Sequence, residues 1–362
     1  MNEVTYNAIL NNPEAIKKID PDGALASAQS LADQLKQVWD ERQQIVFDPK
    51  QTEDIDQVVV AGMGGSGLNA DVVKHLFKDL LQVPVIINQD YHLPAFVDDE
   101  TLVILSSYSG NTEEVLACAQ EAEQKGAQIA AITSGGQLAP LAKKKNWPHF
   151  MIDAKHNPSN QPRMAIGYSV MGMIALFAAA GLINFSKDQL NEAIDAINRT
   201  AQSCALDLPQ EDNKAKMLAF LSLERRPVLI GAEFLTGSIH VATNQFNENA
   251  KTFADYKVIP ELNHHLLEGL TFPKSNPLNH FFIFFQSKLY HQRNQQRLEL
   301  TRELVDQKEI DSITIKLESE TKLTQVFELI TLMSFANLYL AFLEKVNPCP
   351  IPSVDWFKSQ LA

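Results

Sequence analysis

Five short apolar runs follow one another between residues 58 and 153: VVVAG (58–62), VPVII (83–87), TLVILSSYS (101–109), AQIAAIT (127–133) and HFMID (149–153). They alternate with amphipathic stretches, and this alternation constrains the fold more than any other feature. Parallel strands need crossover connections, nearly always right-handed, so alternating β and α units predict a mainly parallel sheet covered by helices. The alternation resumes after a polar helical stretch (187–224), with RPVLIG (226–231), NHFFIFFQS (279–287) and DSITIKL (311–317), and amphipathic stretches at 293–307 and 324–345. A chain of 362 residues exceeds the roughly 250–300 residues that one core usually organises. The reading is therefore of two doubly wound α/β domains, over 51–205 and 206–362. Residues 1–50 place Ile16, Leu25, Leu31 and Leu35 on apolar faces, with Pro21 and Gly23 as punctuation, and predict a helical N-terminal cap.

Thirty-one Lys and Arg against 44 Asp and Glu give a net charge of −13, a field that repels phosphate backbones and argues against a nucleic-acid partner. Cys118, Cys204 and Cys349 are too dispersed for a disulfide framework or a metal knuckle. The polar N-terminus lacks the apolar core of a signal peptide, which points to the cytosol. Met164–Ile183 is uncharged and about long enough to span a bilayer. Gly167, Tyr168, Ser169 and Gly172 dilute it and no basic cluster flanks it, so it is read as a buried helix and no membrane partner is expected.

Two turns carry chemistry. GMGGSG puts Gly62, Gly64, Gly65, Ser66 and Gly67 between a strand and a helix, where backbone N–H groups can face an anion without Cβ obstruction. A dinucleotide fingerprint would need an acidic residue about 20 residues on, and Asn88 and Gln89 come first there. The Walker lysine is absent too, since Leu68 follows Gly67. The same glycines also suit a close-packed turn with no ligand. The second turn, SSYSGNTEE, sets Ser107, Ser109 and Thr112 around a glycine at another helix start, with Glu113 and Glu114 in the first turn. Hydroxyls and free N–H groups there suit a phosphate monoester, although Thr112 also suits an ordinary N-cap. Both turns end parallel strands, where ligands collect in doubly wound sheets.

GMGGSG, SSYSGNTEE, ITSGG (132–136), NQPRMAIGYS (160–169), FNENAK (246–251) and PELNHHLLEG (260–269) occur in that order and resemble the sugar isomerase (SIS) domain, in particular the bifunctional phosphoglucose/phosphomannose isomerase family. The resemblance covers roughly residues 55–360. It implies two SIS-type domains in a homodimer that interconverts an aldose 6-phosphate and fructose 6-phosphate without metal or organic cofactor. The substrate phosphate would lie on Gly64, Gly65, Ser66, Ser107, Ser109 and Thr112.

Moving a hydrogen between C1 and C2 requires a base and a cation beside the developing oxyanion. Glu248 is similar to the family's catalytic base, and Arg163 resembles its enediolate-stabilising residue, with Pro162 fixing its approach. The resemblance makes His264, rather than its neighbour His265, the histidine that shuttles a proton to the ring oxygen, delivered from the other subunit. A metal reading of this pair fails because adjacent residues rarely face one ion and no third ligand is evident. Glu261 is read as structural. Lys358 looks like the family's C-terminal lysine, which assists ring opening. One departure concerns a threonine that the family carries shortly before that lysine, held to leave room for either C2 epimer. NPCPIPSVDWFK has Cys349, Ile351 and Ser353 instead, which weakens the case for mannose 6-phosphate relative to glucose 6-phosphate. SIS domains also serve as sugar-phosphate sensors in regulators, but the first 50 residues offer no basic recognition helix. Another phosphosugar or an amino sugar is the remaining alternative.

Overall fold

The computed structural model describes residues 9–361; the first eight residues of the expected cap lie outside the described residues. The first sheet contains β1 (Gln57–Ala61), β2 (Val85–Asn88), β3 (Thr101–Ser106), β4 (Gln128–Thr133) and β5 (His149–Met151), in the order β2-β1-β3-β4-β5. The second contains β6 (Arg226–Ala232), β7 (Asp255–Ile259), β8 (His280–Gln286) and β9 (Ser312–Lys316), in the order β7-β6-β8-β9. Every pairing is parallel. In each unit the first strand lies between the second and the third, so both sheets have the same switch point, where a crevice opens beyond the strand ends.

β7 is a strand that the apolar runs do not reveal. DYKVI is only partly buried except at Ile259, because it lies at the sheet edge. The polar stretch 187–224 is not one helix but two, Lys187–Ser203 and Lys214–Leu221, interrupted before Asn213 by a segment containing Pro209.

The described part of the cap contains the helices Pro13–Ile19, Ala24–Gln29 and Leu31–Glu41, and Ile16, Leu25, Leu31 and Leu35 are buried. A buried amide is among the groups that lock it to the first unit, beside Ser27 on Ser159 and Gln37 on Tyr168. Gln34 Oε1 accepts from Gly167 N at 3.0 Å, while its Nε2 donates to Met164 O at 2.9 Å and His156 O at 3.0 Å. Gly167 is required there, since a Cβ would come within 2.8 Å of the Gln34 side chain.

The uncharged stretch forms the helix Ile166–Ala179, buried from Ile166 to Phe177. The helix Lys322–Leu343 corrects an expectation: it is not amphipathic but buried nearly all round. It packs against Lys187–Ser203, Lys214–Leu221 and Thr236–Asn249 and also touches the cap and the first unit, so it has almost no solvent face. Its length and mean hydropathy of 1.8 would suit a membrane span, yet 94% of that window is buried inside the protein. The units meet where Thr236–Asn249 crosses Gly65–Leu76. A Cβ at Gly237 would lie 2.5 Å from the Val72 backbone, and His240 holds Asp71 at 2.8 Å beside that crossing.

Candidate active site

β1 and β3 flank the switch point of the first sheet, and the turns that follow them form one wall of the site. Gly62 and Gly67 close the first turn: a Cβ at Gly67 would lie 2.6 Å from Gly62 O, and one at Gly62 would lie 2.9 Å from Ser66 O. Gly64 has φ +49°, the left-handed region where glycine is unstrained. In the second turn Gly110 also has a positive φ (+68°), and any Cβ would collide with Gly135 O.

The hydroxyls of these turns share bonds. Tyr108 N donates to Ser66 Oγ at 3.0 Å, and Gly110 N donates to Ser107 Oγ at 3.1 Å. Ser107 and Thr112 lie 2.7 Å apart, oxygen to oxygen. One proton bridges that pair and the other remains available to an acceptor, as does the Ser66 proton. Ser109 is exposed. No side chain caps the start of the helices Gly65–Leu76 or Glu113–Lys125, so the N–H groups at their positive ends are left for an anion.

Arg163 adjoins this wall. It sits in the 3₁₀ turn Pro162–Met164, whose proline occupies the first position, and its backbone lies 3.8 Å from where a Gly65 Cβ would be. Its guanidinium is held on every side: Nε donates to Asn249 Oδ1 at 2.5 Å, one NH group to Gln161 Oε1 at 2.9 Å, and the other to Pro348 O and Cys349 O, both at 2.7 Å. Asn249 is itself oriented by a 2.8 Å bond to Asn337 on the buried Lys322–Leu343 helix. Burial pulls the Arg163 guanidinium below its usual range against the raising effect of Glu248, but a guanidinium stays charged.

Glu248 lies in the last turn of Thr236–Asn249, with Oε2 3.5 Å from Arg163 and a side chain 32% exposed. Burial raises its carboxyl above the ordinary range, while Arg163, Lys251 and Lys358 oppose that shift. A carboxylate so placed is more basic than one in water yet remains open to a ligand.

Lys358 is exposed on the helix Pro352–Leu361, none of whose residues is buried; its charge acts on Glu248. His264 and His265 are both exposed in and after the turn Glu261–His264. That turn is anchored by buried Leu262 and by Asn263, which donates to Thr301 Oγ1 at 2.8 Å. Among the described residues no hydrogen bond or ion pair joins His264 to Glu248 or Arg163 of the same chain. Glu261 is exposed on the same turn. Sequence reasoning missed Gln161, Asn249 and Lys251, although all three stand inside the quoted motifs NQPRMAIGYS and FNENAK.

The family model of the SIS domain matches residues 53–180, and that of the bacterial phospho-glucose isomerase C-terminal SIS domain matches residues 211–361. A bifunctional phosphoglucose/phosphomannose isomerase of Caldicellulosiruptor bescii is 35% identical over 93% of this chain and 98% of that protein. The chain belongs to the bifunctional phosphoglucose/phosphomannose isomerase family. The Thermoplasma acidophilum member is 30% identical over 92% of this chain and 97% of its own. The crystal structure of a hypothetical protein from Thermus thermophilus shares the fold with TM-score 0.74 and 17% identity, over 96% of this chain and 93% of that one. Like other members, this isomerase carries two SIS domains, each built on a parallel sheet.

Proposed function

We propose that this enzyme interconverts glucose 6-phosphate and fructose 6-phosphate in the cytosol through an enediolate, and accepts mannose 6-phosphate as the C2 epimer, as the names of its relatives indicate for them. One observation carries the reading. The phosphate-suited turn, the fixed cation and the basic carboxylate are contiguous, since Gly65 abuts Arg163 and Arg163 lies 3.5 Å from Glu248. The phosphate is assigned to Gly64, Gly65, Ser66, Ser107, Ser109 and Thr112. Glu248 takes the proton from C2 of the open-chain aldose, the electron pair forms the C1–C2 double bond, and Arg163 stabilises the oxyanion. Glu248 returns the proton to C1 while the O2 hydroxyl proton passes to O1, so the carbonyl moves to C2 and O1 becomes the hydroxyl. Lys358 and His264 assist ring opening. Coupled assays with glucose, mannose and fructose 6-phosphates test this. Turnover of none overturns the reading, and turnover of glucose 6-phosphate alone removes the mannose activity, as Cys349, Ile351 and Ser353 in place of the family threonine would favour.

The protein is read as a homodimer in which each site takes His264 from the partner, a reading supported by His264 having, among the described residues, no hydrogen bond or ion pair to Glu248 of its own chain. Mixing Glu248→Gln with His264→Ala protein under subunit exchange then restores activity. About half of the molecules become mixed dimers with one intact site each, so recovery approaches roughly a quarter of the wild-type rate per subunit. No recovery despite demonstrated exchange places His264 in the same chain as its Glu248 or removes it from the mechanism.

A further inference from the structure

The segment Pro348-Cys349-Pro350 connects the end of the buried Lys322–Leu343 helix to the exposed helix that bears Lys358, and its carbonyls are held by cations. Arg163 takes Pro348 O and Cys349 O. Lys251 Nζ takes Pro348 O at 3.0 Å, Pro350 O at 2.6 Å and, from its own side, Glu248 O at the end of the Glu248 helix. Lys251 follows that helix with φ +56°, a left-handed backbone that turns its side chain back beneath Glu248. One ammonium thus ties the helix end carrying the base to the strap carrying Lys358.

The geometry points to Lys251 as a positioning residue that, together with Arg163, fastens the Pro348–Pro350 strap to the Glu248 helix and so sets where Lys358 stands relative to the base. No role of contact with substrate is assigned to it, and the kinetic part of the inference rests on the isomerase reading above. Three carbonyls surround Nζ, and only the ammonium has three donors; a neutral amine would turn a lone pair toward one carbonyl. The strap therefore depends on charge. The titratable groups facing Lys251 are Arg163, Glu248 and Cys349. Burial first, and then Arg163, pull its ammonium down to about 8, against the raising effects of Glu248 and Cys349. The ammonium state, and with it the part of the strap's fastening that Lys251 supplies, is present below that value and lost as pH rises through it.

Lys251→Met keeps the aliphatic stem and removes the three bonds, whereas Lys251→Arg keeps a charge that no accessible pH removes. In Lys251→Met, kcat should fall about tenfold or more with KM changed by less than about threefold, because the loss is of transition-state geometry rather than of phosphate binding. Amide exchange of the peptide 347–361 should quicken in the same protein. In the wild type kcat should decline as pH rises through about 8, and Lys251→Arg should retain most of the activity while losing that decline. Unchanged amide exchange over 347–361 in Lys251→Met overturns the inference even if kcat falls, and so does a kcat within about twofold of wild type. A wild-type protein inactive on all three hexose phosphates overturns the isomerase reading alone, since the exchange measurement still reads the strap.

Discussion

The two sheets have the same strand order around the same switch point, yet they treat that point in opposite ways. In the first unit the turns after β1 and β3 remain open: Gly64 and Ser109 are exposed and no side chain caps either helix. In the second unit the corresponding place is filled from within. Glu233, just after β6, accepts from His291 N at 2.8 Å and Asn294 Nδ2 at 2.7 Å at the start of the helix Gln292–Gln307 that follows β8. Tyr290 closes the same corner, its hydroxyl accepting from Ala232 N at 3.1 Å. A carboxylate of the chain's own thus occupies the positive helix end that the first unit leaves free. The repeated topology supplies comparable helix starts in both units, and a carboxylate bonds at the one in the second unit. The second unit instead brings the far end of its β6–β7 helix, with Glu248, to 3.5 Å from Arg163 of the first.

This division of labour can be broken or sharpened kinetically. Glu248→Gln should show the largest effect, a drop in kcat of about 10²–10⁴-fold with substrate binding preserved, because the amide keeps the shape but takes no proton. In the wild type, activity needs the ionised carboxylate, so the acid limb of the kcat profile should fall as pH decreases through a value above the ordinary carboxylate range. Near-normal turnover of Glu248→Gln, read in the coupled assay, would leave the second unit without its assigned task.

Ser109→Ala and Thr112→Ala, in the first unit, should act mainly on KM. Each removes a charge-assisted bond of about 1.5–3 kcal/mol made equally in ground and transition states, so KM should rise roughly tenfold or more with kcat little changed. Steady-state kinetics separate the two, and an unchanged KM in both variants would move the phosphate elsewhere. Glu233→Ala should give the smallest catalytic effect: kcat and KM unchanged, with about 1–3 kcal/mol of stability lost because two donors lose their acceptor. Urea denaturation measures the loss. A fall in kcat beyond the loss of folded protein would show that the filled crevice takes part in the site.

How much was legible depended on the range of the cause. The turns GMGGSG and SSYSGNTEE could be read because their chemistry is local: a glycine is needed wherever a Cβ would meet backbone within a few residues, as Gly67 meets Gly62 O. Lys251 was invisible although it lies three residues from Glu248, because its partners Pro348 and Pro350 come almost a hundred residues later. β7 escaped for a related reason: an edge strand is buried on too few sides to read as an apolar run.

The sequence by itself determined the repeated parallel architecture, through apolar runs that suit only covered strands, and the family, through motifs whose spacing is set within one turn. Only the tertiary structure decided which of two comparable helix starts a carboxylate fills, that Lys322–Leu343 is enclosed on nearly every side, and that Arg163 lies between the Gly65 turn and Glu248. The physical reason is that backbone conformation responds to near neighbours along the chain. Burial, charge pairing and the vacancy of a site depend on segments brought together only when the core forms.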